Sequence, residues 1–375
     1  FKPKAEREYI FDHMWKQVKE KFYDPGLHGV DWDYYKENYS KFLPYINNNF
    51  DFQELLSEIL GELNASHTGG RYQYRSGLNM GTLGVLYDED YEGDGLKIKE
   101  VLPDGVLSIA YPELKAGDII ASIDGNEIKA GKDWYSLLTG KAGKKTSITI
   151  KKGGKKDVEV FVKPAFTDYN LMYKRWVKQR EAKVAELSGG KVGYVHVEGM
   201  NSPSFREVYS KALGKYRAAG ALVVDTRHNG GGWLHDDLVT FLSGKAYVEY
   251  KPRGQYIGTD PYSKWTKPSC VLVCEDNYSD ACGFPYAYQA LGIGKLIGTP
   301  VAGTMTAVWW ENQINSSIIF GIPQVGSWCI KEGHYNENHQ VNPDILVYND
   351  PVSMLKGEDK QLETAVAEML KEANK

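Results

Sequence analysis

Phe11, Met14, Trp15, Val18 and Phe22 recur at helical spacing near the start of the chain, and Asp24-Pro25-Gly26 stops that run. A second helix is signalled at Asp51, with Glu54 three residues later in capping-box spacing and Leu55, Leu56, Ile59, Leu60 and Leu63 as its apolar stripe. Residues 1 to 65 therefore read as helical, and Ser66-His67-Thr68-Gly69-Gly70 follows directly. From residue 79 to about 163 the pattern changes to short apolar runs separated by glycine turns, among them Leu83-Gly84-Val85-Leu86, Ile119-Ile120 and Ile148-Thr149-Ile150. Asp124-Gly125 is a tight-turn signal, and the whole predicts a small β domain. From 164 onward strand and helix alternate. Gly193 to Val197, Ala221 to Asp225 and Cys270 to Cys274 read as strands, and the last two are apolar runs typical of burial on both faces. Helices are predicted over Phe205 to Arg217, from Leu234 to Leu242, and over Ala281 to Leu291. Such alternation predicts an α/β layer with parallel strands, whose strand-to-helix loops are where sites collect.

With 375 residues the chain is too long for one ordinary core, so the pattern is divided into 1–78, a helical cap, 79–163, a β domain, and 164–375, an α/β core. The formal net charge is −4 with both signs interspersed, so no basic stripe points to nucleic acid. No run of about 18 apolar residues points to a membrane span. The chain opens Phe1-Lys2-Pro3-Lys4 without an initiator Met, which implies a processed or excised chain whose missing start could hide a signal peptide or further domains. Cys270, Cys274, Cys282 and Cys329 show no CxxC spacing and no His/Cys run suggesting zinc, and they are expected to be buried free thiols.

The candidate chemistry lies at element ends. Ser279 follows a buried strand and precedes a helix, where its hydroxyl either caps the helix or stands free as a nucleophile. The N–H of Asp280 falls at the helix start, unsatisfied and available to an anion. Asn229-Gly230-Gly231-Gly232 also leaves a strand and enters a helix. Three glycines let backbone approach a reacting carbonyl, although a plain tight turn fits as well. GxxxxGK[ST] is absent, which disfavours a phosphate cradle. Arg227 is expected to be an internal strut paired with an acid. His67, in a Gly-rich turn beside Ser66, is a candidate base or a structural histidine, and Glu337 is a candidate orienting carboxylate or a polar loop acid.

Two resemblances gather these pieces. Leu114 to Ile120 followed by Asp124 to Ile128 resembles a PDZ domain, with Met80-Gly81-Thr82-Leu83-Gly84-Val85 in place of that family's carboxylate-binding loop and peptide-pairing strand. The alternative is a small β domain that only spaces two halves of the chain. Across its length the chain resembles the tricorn core proteases, a branch of the C-terminal processing peptidases. The likeness rests on Phe22-Tyr23-Asp24-Pro25, Gly61 to His67, Asp225-Thr226-Arg227 with Gly230-Gly231-Gly232, Ser279-Asp280 with Gly292 to Gly298, Glu337-Asn338 with Pro343-Asp344, and Gly357 to Leu362.

The resemblance implies a ClpP/crotonase-like α/β catalytic core with an N-terminal helical cap and an inserted PDZ-like β domain. It implies a tetrad of Ser279 as nucleophile, His67 as base, and Ser66 with Glu337 as the orienting pair. It also implies an oxyanion hole from the N–H groups of Asp280 and Gly231. Thr304 stands where the processing-peptidase branch places a lysine, which disfavours a Ser–Lys dyad. The segment Glu249 to Arg253 has no clearly matching acidic specificity residue, so no preference for basic residues is carried over.

The expected function is a serine endopeptidase acting on peptides or unfolded proteins, with no metal and no organic cofactor. Nucleic acid is not expected as a partner, and homo-oligomers are compatible. Export to a periplasm is favoured over the cytoplasm. The competing classes are a non-catalytic binding protein that uses the PDZ-like groove, and a crotonase-like thioester enzyme, which would need a coenzyme A site.

Overall fold

In a computed structural model, residues 2–74, 79–153 and 156–374 are described; Phe1 and the expected boundary between cap and β domain, 75–78, lie outside them. The chain divides into two compact units, one made of residues 1–74 with 180–375, the other of 75–179. The expected cap and core thus share one unit.

The centre of the first unit is a five-stranded parallel sheet. Its strands lie side by side in chain order: Val192–His196, Ala221–Asp225, Ser269–Val273, Lys295–Gly298 and Ile345–Leu346. The first three are buried at every position, because helices cover both faces of a parallel sheet. On one side the core packs Leu234, Leu238 and Phe241 of helix His235–Leu242 against Ala281, Phe284 and Tyr288 of helix Asp280–Ala290. Helix Lys360–Ala373 lies across four of the strands.

Below the strand ends, Arg227 is buried and forks onto two carboxylates. It reaches Asp225 at 2.7 Å and Asp359 at 2.9 Å, and Tyr194 donates to Asp225 at 2.9 Å. Burial alone would raise the Asp225 carboxyl, but the Arg227 guanidinium overrides it and brings it down to about 2. Arg227 is therefore the internal strut that its place after the strand suggests, and it locks the base of the glycine loop.

The N-terminal helices are Pro3–Lys21, Trp32–Ser40 and Asn49–Gly61. Their apolar faces, with Ile10, Met14, Phe52, Leu56 and Ile59, close on Ile318, Phe320 and Ile322 of the long strand Ile318–Gly326. The third helix begins earlier than expected. Asn48, not Asp51, is its N-cap; the Asn48 side chain accepts the Asp51 N–H at 2.9 Å and donates to the Asp51 carboxylate at 2.8 Å. The helix ends at Gly61, leaving Leu63 buried in the turn that leads to Ser66.

The second unit is an antiparallel sheet in which Val85–Tyr87 is the edge strand, followed in order by Leu96–Val101, Ile119–Ile123, Thr146–Lys151 and Val158–Val162. Its core is Leu83, Ile98, Leu107, Ile120, Ile148 and Ile150. The stretch Met80 to Val85 is internally engaged. Gly81 N–H donates to Leu138 O and Thr82 N–H to Ala165 O, both at 2.9 Å. The Asp168 carboxylate accepts the Thr82 hydroxyl at 2.9 Å and the Gly84 N–H at 3.1 Å.

Candidate active site

Ser279 occupies the N-cap position of helix Asp280–Ala290 with φ 58° and ψ −125°, a backbone conformation that side chains with a Cβ rarely adopt. A serine at an N-cap ordinarily turns its oxygen back onto the N–H groups of the first turn. Ser279 makes no such bond. The plain capping role is thereby removed, and its hydroxyl is left to the half-buried space in front of the helix. Its own N–H is held by Thr304 Oγ1 at 2.9 Å.

The turn is braced from below by Asn277, which is buried and donates to Thr226 Oγ1 at 2.9 Å and to the Ala281 carbonyl at 3.2 Å. The second bond accounts for Pro285 inside the helix. Proline has no N–H for the carbonyl one turn back, and Asn277 supplies the missing donor.

The glycine loop runs directly against this turn. Gly231 has φ 99°, and a Cβ there would lie 2.6 Å from Ser279 Cβ, 2.7 Å from Tyr278 O and 3.1 Å from Asp280 N. Only glycine permits that approach. The Gly231 N–H donates to Asn229 Oδ1 at 2.8 Å, whereas the Asp280 N–H has no acceptor among the described residues. In this state Asp280 is the open donor of the expected pair. Its side chain has a separate task. The carboxylate accepts the Leu234 N–H at 2.5 Å, the His235 N–H at 3.0 Å and the His235 ring, so it caps helix His235–Leu242 and ties the two loops together. The same hydrogen bond raises the His235 pKa.

His67, Ser66 and Glu337 come together as a chain of contacts across 271 residues of sequence. Ser66 Oγ donates to Glu337 Oε2 at 2.9 Å, and the Ser66 N–H donates to Glu337 Oε1 at 2.5 Å. His67 Nδ1 lies 2.8 Å from Ser66 Oγ and 3.1 Å from Thr306 Oγ1. A hydroxyl has one proton to give. With that proton on Glu337, Ser66 must accept from His67, which places the imidazole proton on Nδ1 and the lone pair on Nε2. Asn338 secures the other end of the segment by donating to Asn64 O at 2.8 Å.

Burial, and then the nearby Arg71 guanidinium, push the His67 pKa down to about 4, so the ring is a neutral base at pH 7. Glu337 is buried and its pKa is raised by that burial, against the opposing pull of its two bonds from Ser66. The His67 N–H donates to Tyr278 OH at 2.8 Å, and the two rings are tilted with centroids 4.7 Å apart. Among the described residues no hydrogen bond joins Ser279 Oγ to His67. Such a bond is often long in a substrate-free site.

All six residues singled out in the sequence therefore lie in the first unit, in two clusters. Ser279, Asp280 and Gly231 form one; His67, Ser66 and Glu337 form the other; Tyr278 links them. Tyr278, Asn277, Thr306 and His235 were not singled out from the sequence. Pro285 in a helical pattern was the one local signal that an outside donor such as Asn277 would be needed.

Comparison with known proteins gives a consistent order of domains. The chain matches the Tricorn protease C1 domain over residues 3–61, the Tricorn protease PDZ domain over 108–165 and Peptidase family S41 over 191–347. Tricorn protease homolog 1 of Streptomyces coelicolor is 30% identical over 376 residues, covering 97% of this chain and 35% of that protein. The tricorn protease of Thermoplasma acidophilum is 24% identical over 383 residues, covering 97% of this chain and 34% of that protein. Among solved structures, a crystal structure of the tricorn protease has the same fold, with a TM-score of 0.86 at 22% identity over 99% of this chain and 37% of the other. The chain thus spans about a third of the length of these relatives. Its mixed α/β architecture with a PDZ domain is common to them.

Proposed function

We propose that the chain, which matches tricorn protease domains and peptidase family S41, is a tricorn-core member of the C-terminal processing peptidases and hydrolyses peptide bonds by serine acyl transfer. The supporting observation is the Ser279 hydroxyl, which sits at a helix N-cap and does not cap.

Ser279 Oγ attacks the scissile carbonyl while His67 Nε2 takes its proton. Ser66 passes the influence of Glu337 to the ring. It fixes the Nδ1–H tautomer, and the carboxylate stabilises the imidazolium that forms. The developing oxyanion is met by the Asp280 N–H and by the Gly231 N–H, which exchanges its resting bond to Asn229 for the substrate oxygen. His67 then protonates the leaving amine. Water, activated by the same ring, releases the acyl group. The lowered His67 pKa keeps the resting ring unprotonated at pH 7, and the charge of Glu337 supports the cation as the proton arrives.

We read the parallel sheet as a ClpP/crotonase-like core, a reading supported by the strand-to-helix loops that carry Gly231 and Ser279. The substrates are peptides or unfolded proteins, and a homo-oligomer is compatible with this reading. The exposed edge of Val85–Tyr87 favours strand addition by an extended peptide. The engagement of Gly84 and Thr82 by Asp168 weighs against capture of a terminal carboxylate in the resting state.

Incubation of the chain and of Ser279→Ala with a diverse peptide library, read by mass spectrometry, tests the reading. Cleavage by the wild type should fall by about 10³-fold or more in the variant. Equal cleavage by both would remove Ser279 from the mechanism.

A further inference from the structure

Where the two strands that carry the site end, a second cluster of chemistry assembles. His228 leaves the Ala221–Asp225 strand, and Cys274 and Asp276 leave the Ser269–Val273 strand. His228 Nδ1 lies 2.8 Å from Asp276 Oδ2 and 3.9 Å from Cys274 Sγ, and the donor atoms of all three lie within 4.8 Å of one another. The His228 N–H also donates to Cys274 Sγ at 3.2 Å. None of the three belongs to the Ser279 or His67 clusters.

We propose that His228, Cys274 and Asp276 form a binding site for a divalent cation of the zinc class. A nitrogen, a thiolate and a carboxylate together suit a borderline ion such as Zn²⁺ rather than Mg²⁺ or Ca²⁺, which take oxygen. Bond lengths of about 2.0 Å to nitrogen and oxygen and about 2.3 Å to sulfur in a tetrahedron separate donor atoms by roughly 3.3–3.6 Å. The observed spacing brackets that range. The nitrogen–oxygen gap must open and the sulfur–nitrogen gap must close, each by less than about 1 Å, and the sulfur–oxygen gap, which is at most 4.8 Å, must close by no more than about 1.3 Å.

His228 and Asp276 can make the adjustment because both are exposed, with 60% and 64% of their side-chain surface open, while Cys274 is fixed at 5%. Three protein ligands leave a fourth position for water. Binding releases two protons to solvent, one from the Cys274 thiol and one from Nδ1 of His228, which its Cys274 and Asp276 neighbours hold protonated up to about 9, and leaves His228 as the Nε2–H tautomer with no change of redox state.

The ion would do more than decorate the surface. His228 immediately precedes Asn229, which anchors the glycine loop, and Asp276 immediately precedes Asn277, which braces the Ser279 turn. A bound ion joins the two loops at their bases, opposite the tie made by Asp280.

The test is a titration of the metal-free chain with Co²⁺, read by absorption. A cobalt–thiolate bond gives a charge-transfer band in the near ultraviolet. The band should saturate at one equivalent, disappear when Zn²⁺ is added and be absent in Cys274→Ser. Cys270, Cys282 and Cys329 remain in that variant and are buried free thiols, so they serve as the internal control. His228→Asn and Asp276→Ala should each weaken Co²⁺ binding at least tenfold. Asparagine is chosen because His228 has φ 64°, a conformation asparagine tolerates. Loading with Zn²⁺ should also raise the Tm of the wild type and not that of Asp276→Ala.

No band in the wild type, a band that survives in Cys274→Ser, or binding indifferent to both His228→Asn and Asp276→Ala would overturn the proposal. If Cys274→Ser does not fold by circular dichroism, the two exposed-site variants decide. Because the readout is metal binding, its failure leaves the peptidase reading untouched.

Discussion

Gly230 to Gly232 with Asp280, and Gly81 to Gly84, are two glycine-bearing stretches that turn backbone N–H groups toward a place where a charged oxygen could sit. In the first, Gly231 passes against Ser279 and the Asp280 N–H has no acceptor among the described residues. In the second, the Gly84 N–H and the Thr82 hydroxyl are already taken by the carboxylate of Asp168. Each stretch has the composition that lets backbone act as a ligand. What separates them is the occupant: Asn229, inside the first loop, takes the Gly231 N–H and leaves that of Asp280 open, whereas Asp168, far along the chain, fills the second. Glycine content therefore reports that N–H groups can be presented; it does not report to whom.

Four changes would break or sharpen that contrast. The largest concerns the open site. Glu337→Gln removes the charge that Ser66 conveys to His67, and should lower kcat by roughly 10²–10⁴-fold with little change in KM, measured with the best library peptide. Gly231→Ala comes next. It puts a methyl group 2.6 Å from Ser279 Cβ on backbone of positive φ, and should cost about 10²-fold in kcat/KM together with a lower Tm. Full activity in Gly231→Ala would mean that the loop does not lie where the reaction happens.

The third change is pH. In the proposed mechanism His67 acts as the neutral ring, so kcat/KM should stay level as pH falls through 6.5 and decline only toward the His67 value of about 4. Its folded pKa lies below the unfolded one. The unfolded state thus binds more protons, and its contribution to stability is lost as pH falls from 6.5 toward about 4. A limb near 6.5 would place the titrating base elsewhere.

The smallest change concerns the filled stretch. Asp168→Ala frees the Gly84 N–H, and should raise affinity for peptides with a free terminal carboxylate over their amidated forms by about threefold to tenfold in calorimetry. No discrimination in the variant would show that the stretch does not receive a terminus even when emptied.

The buried strands Ala221–Asp225 and Ser269–Val273 were legible because a strand covered on both faces reads as an unbroken apolar run. Ser279 and Asp280 were legible because a strand-to-helix turn follows from its flanks. Local spacing also supplied Glu54 as a capping partner, yet the Asn48–Asp51 pair caps the helix one turn earlier, and both pairs satisfy the same spacing rule.

Tyr278 as the partner of the His67 N–H could not be read, since the two are 211 positions apart and neither motif names the other. The metal-ligand cluster was missed for a related reason. Spacing rules find ligands on one hairpin or helix turn, whereas His228 and Cys274 stand 46 residues apart and become neighbours only when their parallel strands align.

The order of the proposed tetrad along the chain bears on when it could first act. Ser66 and His67 are made before Ser279, and Ser279 before Glu337. The N-terminal helices bury their apolar faces on Ile318, Phe320 and Ile322, so that core too waits for late-made residues. During synthesis a growing chain holds the base without the nucleophile, then the nucleophile without the acid that orients the base. Closing contacts of such sequence separation is slow and comes last. If the proposed mechanism holds, the site is incomplete until the last of its four groups has been made, and the order of the chain itself delays its assembly.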